Sequence, residues 1–300
     1  MKRHEDAGQR LGIYGRGIER IKLKKAVNII EKSCDGIIDV LDVGHEKGYA
    51  EKGKCSVSEG VNAVCDAFAQ GLIDMAVVDM PSLVEMSKAD AELPYGVCIS
   101  GILKRNDPRF VMVRKKKTRD LVKNAKVVTD TERNHRRISR LYDGVECVVE
   151  PDFGKCFDML ENDKCDAVFV LMDDVKAARK NKNFGYRYNV MDCGDCVPAH
   201  GGGVYAVLTN GVETCVQYAR EVSHEETAVC FEIEEDVIRR ILMNEFVTDC
   251  DVYAQIKGDR LEVYAEVIHV RGALKVCEKD ELKNRNLIVR KIVDRINKSM

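Results

Sequence analysis

The chain has 300 residues, 45% apolar and 33% charged, with 48 basic against 50 acidic side chains. That length holds two or three domains with a sizeable core, and a net charge of -2 gives no reason to expect nucleic acid as a partner. No apolar run approaches bilayer-spanning length and the opening Met1-Lys2-Arg3-His4-Glu5-Asp6 is too polar for a secretory signal, so the expectation is a cytoplasmic protein without membrane contact. Thirteen cysteines, odd in number and scattered, suggest reduced thiols used as small apolar residues.

Leu11 to Ile13 reads as a strand entering the glycine-rich turn Gly15-Arg16-Gly17, and the apolar spacing of Ile18, Ile21, Leu23, Val27 and Ile30 predicts an amphipathic helix to Lys32. Glycines between a strand and a helix suit phosphate or carboxylate binding at the helix N-terminus, although the spacing is not a dinucleotide fingerprint. Gly36 to Val43 reads as a strand, Gly44 to Gly60 as a polar loop, and Val61 to Gln70 as a helix. Leu72 to Val78 is an apolar run with no helical period, stopped by Asp79-Met80-Pro81; this predicts a buried strand whose carboxyl end opens onto a loop. Ligands of open α/β sheets lie at such strand ends, so Asp79 is either a loop cap or an acid at a ligand's edge.

A second unit is expected from Arg105, with strands at Phe110–Val113, Ala125–Thr129, Val145–Glu150 and Ala167–Val170, and helices at Asn134–Leu141 and Lys155–Leu160. Asp166 before its strand echoes Asp74 before Met75-Ala76-Val77-Val78, which points to two similar α/β units facing across a cleft. Cys193, Cys196 and His200 have the spacing C-x2-C-x3-H, half of a metal site or a thiol pair. Gly201-Gly202-Gly203 leads into Val204–Leu208, a strand placed to return to the first unit. Ser223 with Glu226 has the form of a capping box, a further helix is expected over Glu234–Met243, and Val252–Ile256 with Leu261–Val267 alternate as a hairpin. With a last helix over Glu281–Ile296, these make a small α+β third domain.

In this order the features resemble hydroxymethylbilane synthase, also called porphobilinogen deaminase, over nearly the whole chain. The stretches that carry the likeness are Gly71 to Pro81, Glu92 to Gly96, Asp107 to Arg109, Arg136-Arg137 with Leu141, His200 to Val204, Val222 to Thr227 and Val252 to Asp259. The resemblance implies a fold of two similar α/β domains flanking a cleft, periplasmic-binding-protein-like, plus a small α+β C-terminal domain. It divides the chain into 1–103 with 192–216, then 104–191, then 217–300. It implies a monomer that polymerises four porphobilinogen units to hydroxymethylbilane with release of ammonia, on a dipyrromethane cofactor held by a cysteine thioether. The catalytic carboxylate falls on Asp79 or Asp90, and the carboxylate-binding arginines on Arg16, Arg105, Arg109, Arg136 and Arg137. The sequence departs from the family pattern at its sites, at these places among others. The family's Gly-Gly-Cys, read without gaps, falls on Glu245-Phe246, leaving Cys250 as a displaced attachment point; Arg-Gly-Asn becomes Glu150-Pro151-Asp152; and Thr-Arg becomes Lys155-Cys156. They motivate an alternative, a family member that has lost the reaction and binds a pyrrole or other small anionic ligand.

Overall fold

The computed structural model describes residues 8–34, 38–43, 57–88, 92–117, 123–270 and 272–299. The chain begins β1 (Gln9–Ile13), α1 (Gly17–Ser33), β2 (Ile38–Asp42), α2 (Val57–Ala69), β3 (Met75–Asp79), α3 (Met80–Lys88) and β4 (Cys98–Ile102). It continues β5 (Phe110–Lys115), β6 (Lys126–Thr129), α4 (Glu132–Leu141), β7 (Glu146–Val149), α5 (Phe153–Glu161), β8 (Ala167–Leu171), α6 (Met172–Ala177) and β9 (Tyr186–Val190). Then follow β10 (Tyr205–Thr209), α7 (Glu213–Glu221), α8 (Glu225–Ile241), β11 (Val247–Lys257), β12 (Arg260–His269), β13 (Gly272–Glu281) and α9 (Arg285–Ser299).

Three sheets organise these elements. The first has the order β2-β1-β3-β10-β4 and the second β7-β6-β8-β5-β9. Position for position they are the same sheet, with three parallel strands, a fourth antiparallel to them, and a fifth antiparallel to the fourth. The two-unit α/β architecture expected from sequence is therefore the observed one, and β10 does return to the first sheet.

The apolar runs follow from burial on both faces. In β3, Met75 and Val77 face α1 and α7 while Ala76 and Val78 face α2 and α3. In β8, Val168 and Val170 face α5 while Ala167 and Phe169 face α4. A strand covered on both sides cannot alternate polar with apolar, so its sequence is continuous. The paired aspartates have a shared structural duty. Asp74 accepts from the Arg10 backbone N–H at 3.1 Å, and Asp166 accepts from the Lys126 backbone N–H at 2.8 Å. Each closes the entrance of the neighbouring parallel strand.

The third unit is the meander β11-β12-β13 with α8 and α9 packed on one face. Its other face meets the second unit through Arg133 and Arg137 of α4, which pair with Asp251.

Several local expectations differ from the structure. Pro81 does not open a loop but sits in the first turn of α3, where its missing N–H costs no intrahelical bond. Residues 225–241 form one helix, capped by His224 rather than Ser223: the His224 Nδ1 accepts from Thr227 N–H at 3.2 Å, and the Ser223 hydroxyl accepts from Ile102 N–H at 3.1 Å. Strand β13 was not anticipated. Asp90 and most of the stretch from Gly44 to Gly60 lie outside the described residues.

Candidate functional site

Two connectors join the α/β units, one between β4 and β5 and one between β9 and β10. They touch where Asn106 N–H donates to the Gly203 carbonyl at 2.8 Å. Gly203 has φ +73, and a Cβ there would come within 2.6 Å of the Asn106 carbonyl oxygen, so the contact requires glycine. Beneath it lies Glu234 of α8, with 0% exposure. Its carboxylate takes two bonds from Arg105, at 2.6 and 2.9 Å, and one each from the backbone N–H groups of Gly201 and Ala254, at 3.1 and 2.8 Å. One acid thus ties both connectors to the third sheet. Burial alone would depress the Arg105 guanidinium, but Glu234 beside it outweighs that and raises it.

The crevice between the α/β units is walled by carboxylates. Asp79, at the end of β3, accepts from the Ser82 backbone N–H at 3.1 Å and the Ser82 hydroxyl at 2.6 Å, and so caps α3. Glu19, in the first turn of α1, shares with it a cavity of about 70 Å³ that Tyr14, Val64, Val77 and Ser82 also line. Burial, and then the charge of Asp79, push the Glu19 carboxyl up to about 7. One turn on, Lys22 reaches across to the second unit. Its Nζ lies 2.6 Å from Asp174 Oδ1 and 3.9 Å from Asp173 Oδ2, both at the start of α6. Burial, with Asp174 nearby, raises Asp130 at the end of β6, and burial raises Asp173 against the opposing charge of Lys22. Ile18 completes the contact by packing on the second unit's core.

The guanidinium ring expected around Asp79 is not assembled there. Arg105 is committed to Glu234, and Arg109 holds Asp107 through two bonds of 2.8 and 2.9 Å. Arg137 is buried against Asp251 and over the Phe110 ring, with 4.6 Å to the centroid. Arg136, two positions before the buried Ile138, is exposed. Arg16 is the N-cap residue of α1, the helix whose Ile18 and Lys22 meet the second unit. Glu150, in place of the family's arginine, accepts from Asp152 N–H at 3.0 Å within its own turn.

Cys250 stands in β11 with 4% exposure. It packs with Val252 and Ala254 among the side chains of α8 and α9, while Asp251 and Tyr253 alternate to the opposite face. Phe246, where the family's cysteine aligns, is 60% exposed in the turn before β11.

Cys193 and Cys196 do not converge. Cys193 packs on Tyr253 and Tyr264, whereas Cys196 lies in the core of the second unit beside Phe110 and Met112. Burial pushes the two thiols up to about 11 and about 12. His200 stacks on Phe231 at 5.1 Å, with Nε2 3.0 Å from Glu235. Among the described residues no group of three or more His, Cys, Asp or Glu is disposed to hold a metal ion.

A separate cavity of about 440 Å³ opens where the connectors meet the third unit, bordered by Arg109, Cys193, His224, Tyr253, Lys257 and Tyr264. Of its cations Arg109 is matched by Asp107, Arg105 by Glu234 and Lys257 by Glu262 at 2.9 Å, while Lys104 also borders it.

A family model described as "Porphobilinogen deaminase, dipyromethane cofactor binding domain" matches residues 59–217, just over half of the 300. The chain belongs to the porphobilinogen deaminase family. Solved structures of similar outline include YhfZ from Shigella flexneri, at 14% identity over 79% of this chain and 97% of that one, TM-score 0.39. Others are the Bordetella pertussis BvgS periplasmic VFT2 domain (15%, 73% and 90%, TM-score 0.38) and the Lactococcus lactis GlnP substrate binding domain 2 in open conformation (11%, 73% and 88%, TM-score 0.42). No curated protein matches it.

Sequence reasoning missed Glu19, Lys22, Asp130, Asp173, Asp174 and Glu234. For Glu19 and Lys22 a signal existed, because both lie within two turns of the Gly15-Arg16-Gly17 entry. Glu234 left none, since an acid on a charged helix normally faces water.

Proposed function

We propose that this member of the porphobilinogen deaminase family binds a small ligand in the crevice between its α/β units and carries no dipyrromethane on Cys250. The reading rests on the orientation of Cys250. A thioether there would have to leave a packed interface of two helices and a sheet, and the strand neighbours that face the other way, Asp249 and Asp251, carry no thiol and pair with Arg133. The residues present therefore do not fit a dipyrromethane linked at that position.

The second reading is the synthase reaction itself, porphobilinogen to hydroxymethylbilane with release of ammonia in tetrapyrrole biosynthesis. Family membership supports it, and so does Glu19, a carboxyl near neutrality beside Asp79 at the crevice. Porphobilinogen distinguishes the two. A rise in thermal midpoint without ammonia release supports the binding reading. Ammonia release with formation of hydroxymethylbilane overturns it in favour of synthesis, and no response at all removes pyrroles as ligands.

A further inference from the structure

We propose that the cavity of about 440 Å³ where the connectors meet the third unit is a second ligand site, distinct from the crevice, and that it takes a small organic anion bearing carboxylate or phosphate groups. This goes beyond the binding reading above and does not depend on it. Three observations carry it. First, the cavity is enclosed by both connectors and the third unit together. Residues 104–109 come from one connector, Asp192 and Cys193 from the other, and β11 with the first turns of α8 close it. It shares none of the crevice's acids, although Asn106 on its border donates to Asp173 at 3.3 Å. Its volume lies within the roughly 300–1,000 Å³ of small-molecule pockets and exceeds what one inorganic ion needs.

Second, positive charge there is not matched one for one. Asp107 serves both Arg109 and Lys176, at 2.8 Å each, and Glu262 serves both Lys257, at 2.9 Å, and Lys279, at 3.2 Å. One carboxylate shared by two cations leaves a positive charge over at each place. Lys104 is exposed and, among the described residues, has no ion pair. Arg105 and Lys257 border the cavity whereas Glu234 and Glu262 do not, so the cation lines the space and its acid does not. Of the acids on the border, Asp107 is shared in this way, Asp192 accepts from Gly194 N–H at 2.8 Å, and Glu226 is exposed. A surplus of cations around a cavity favours a ligand of opposite charge.

Third, two of the cations converge on one spot. Burial raises the Cys193 thiol and Asp192 adds to it, while Arg109 and Lys257 both oppose the rise, which places both cations near the same sulfur. Arg109 spends Nε and one terminal nitrogen on Asp107, so its other terminal nitrogen is left to donate to a ligand.

Titration calorimetry of the full chain with sodium citrate and, separately, with sodium phosphate tests this. Neither probe contains a pyrrole, so the outcome is separate from that of the porphobilinogen test. Saturable binding is expected for at least one of them, and which one binds separates a carboxylate ligand from a phosphate. Lys257→Gln and Lys104→Glu should each weaken that binding about tenfold, the loss of one charge-assisted contact. Lys164→Glu, at an exposed position outside the cavity, should leave it unchanged. Lys104→Glu breaks no ion pair, so it decides the matter if Lys257→Gln disturbs Glu262. Binding of neither anion, or binding that Lys104→Glu weakens no more than Lys164→Glu does, overturns the proposal.

Discussion

Arg105 and Glu234 meet fork to fork beneath the two connectors, at 2.6 and 2.9 Å, and make the point where all three units are joined. Family resemblance assigns Arg105 to ligand carboxylates, but here an internal carboxylate has taken that place. Arg105 also donates to the Ala254 carbonyl at 2.9 Å and lies over the Tyr253 ring, so both of its terminal nitrogens are engaged within the protein.

Removing Glu234 should be among the costliest single changes in the protein. Glu234→Ala strands a buried guanidinium and the N–H groups of Gly201 and Ala254, a loss on the order of 3–5 kcal/mol. Glu234→Gln keeps the shape and part of the bonding and should lose less. Equilibrium urea unfolding measures both; equal midpoints for the alanine variant and the parent would contradict the assignment.

The pair Arg137–Asp251 joins the second and third units under cover, with Arg133 sharing Asp251 at 2.7 Å. Arg137→Met should cost about 3–5 kcal/mol by leaving Asp251 less fully paired. The double variant Arg137→Met/Asp251→Asn should recover part of that loss. A double-mutant cycle should give coupling of at least about 1 kcal/mol, and strict additivity would show that the contact has no energetic weight.

Glu19 sets a pH dependence of definite sign. Its folded value of about 7 lies above its ordinary 4.5, so between these values the native state holds a proton that the unfolded chain has released. Stability from this group is therefore full below about pH 4.5 and falls as pH rises to about 7, by roughly 1.4 kcal/mol per pH unit at most. Glu19→Gln should flatten that part of the profile. Thermal midpoints of parent and variant across pH 5–8 that run parallel would remove Glu19 as the cause.

The sequence made much of the scaffold legible. The aspartate-then-apolar echo at Asp74 and Asp166 marked two sheets of one design, because strands buried on both faces must read as continuous runs. Helix α3 was hidden by Pro81, which reads as a breaker although the first turn accepts it. Strand β13 was hidden by its charges, since of Gly272–Glu281 only Val276 is buried. The site was less legible still. Motif order located Asp79, but which arginines reach it depends on where α4 and the third sheet dock, and docking turned Arg137 and Arg105 onto Asp251 and Glu234. Cys250 illustrates the limit most clearly: its distance from the family's cysteine is short in sequence, yet its place in β11 turns it onto the side of the sheet that α8 and α9 cover, while Asp251 faces the second unit.

The central claim is tested most directly by the intact mass of the protein produced in cells that make porphobilinogen, followed by peptide mapping. The account predicts the mass of the unmodified chain, unchanged in kind when Cys250→Ala is compared with the parent. A two-pyrrole adduct mapped to Cys250 and absent from the variant would contradict it.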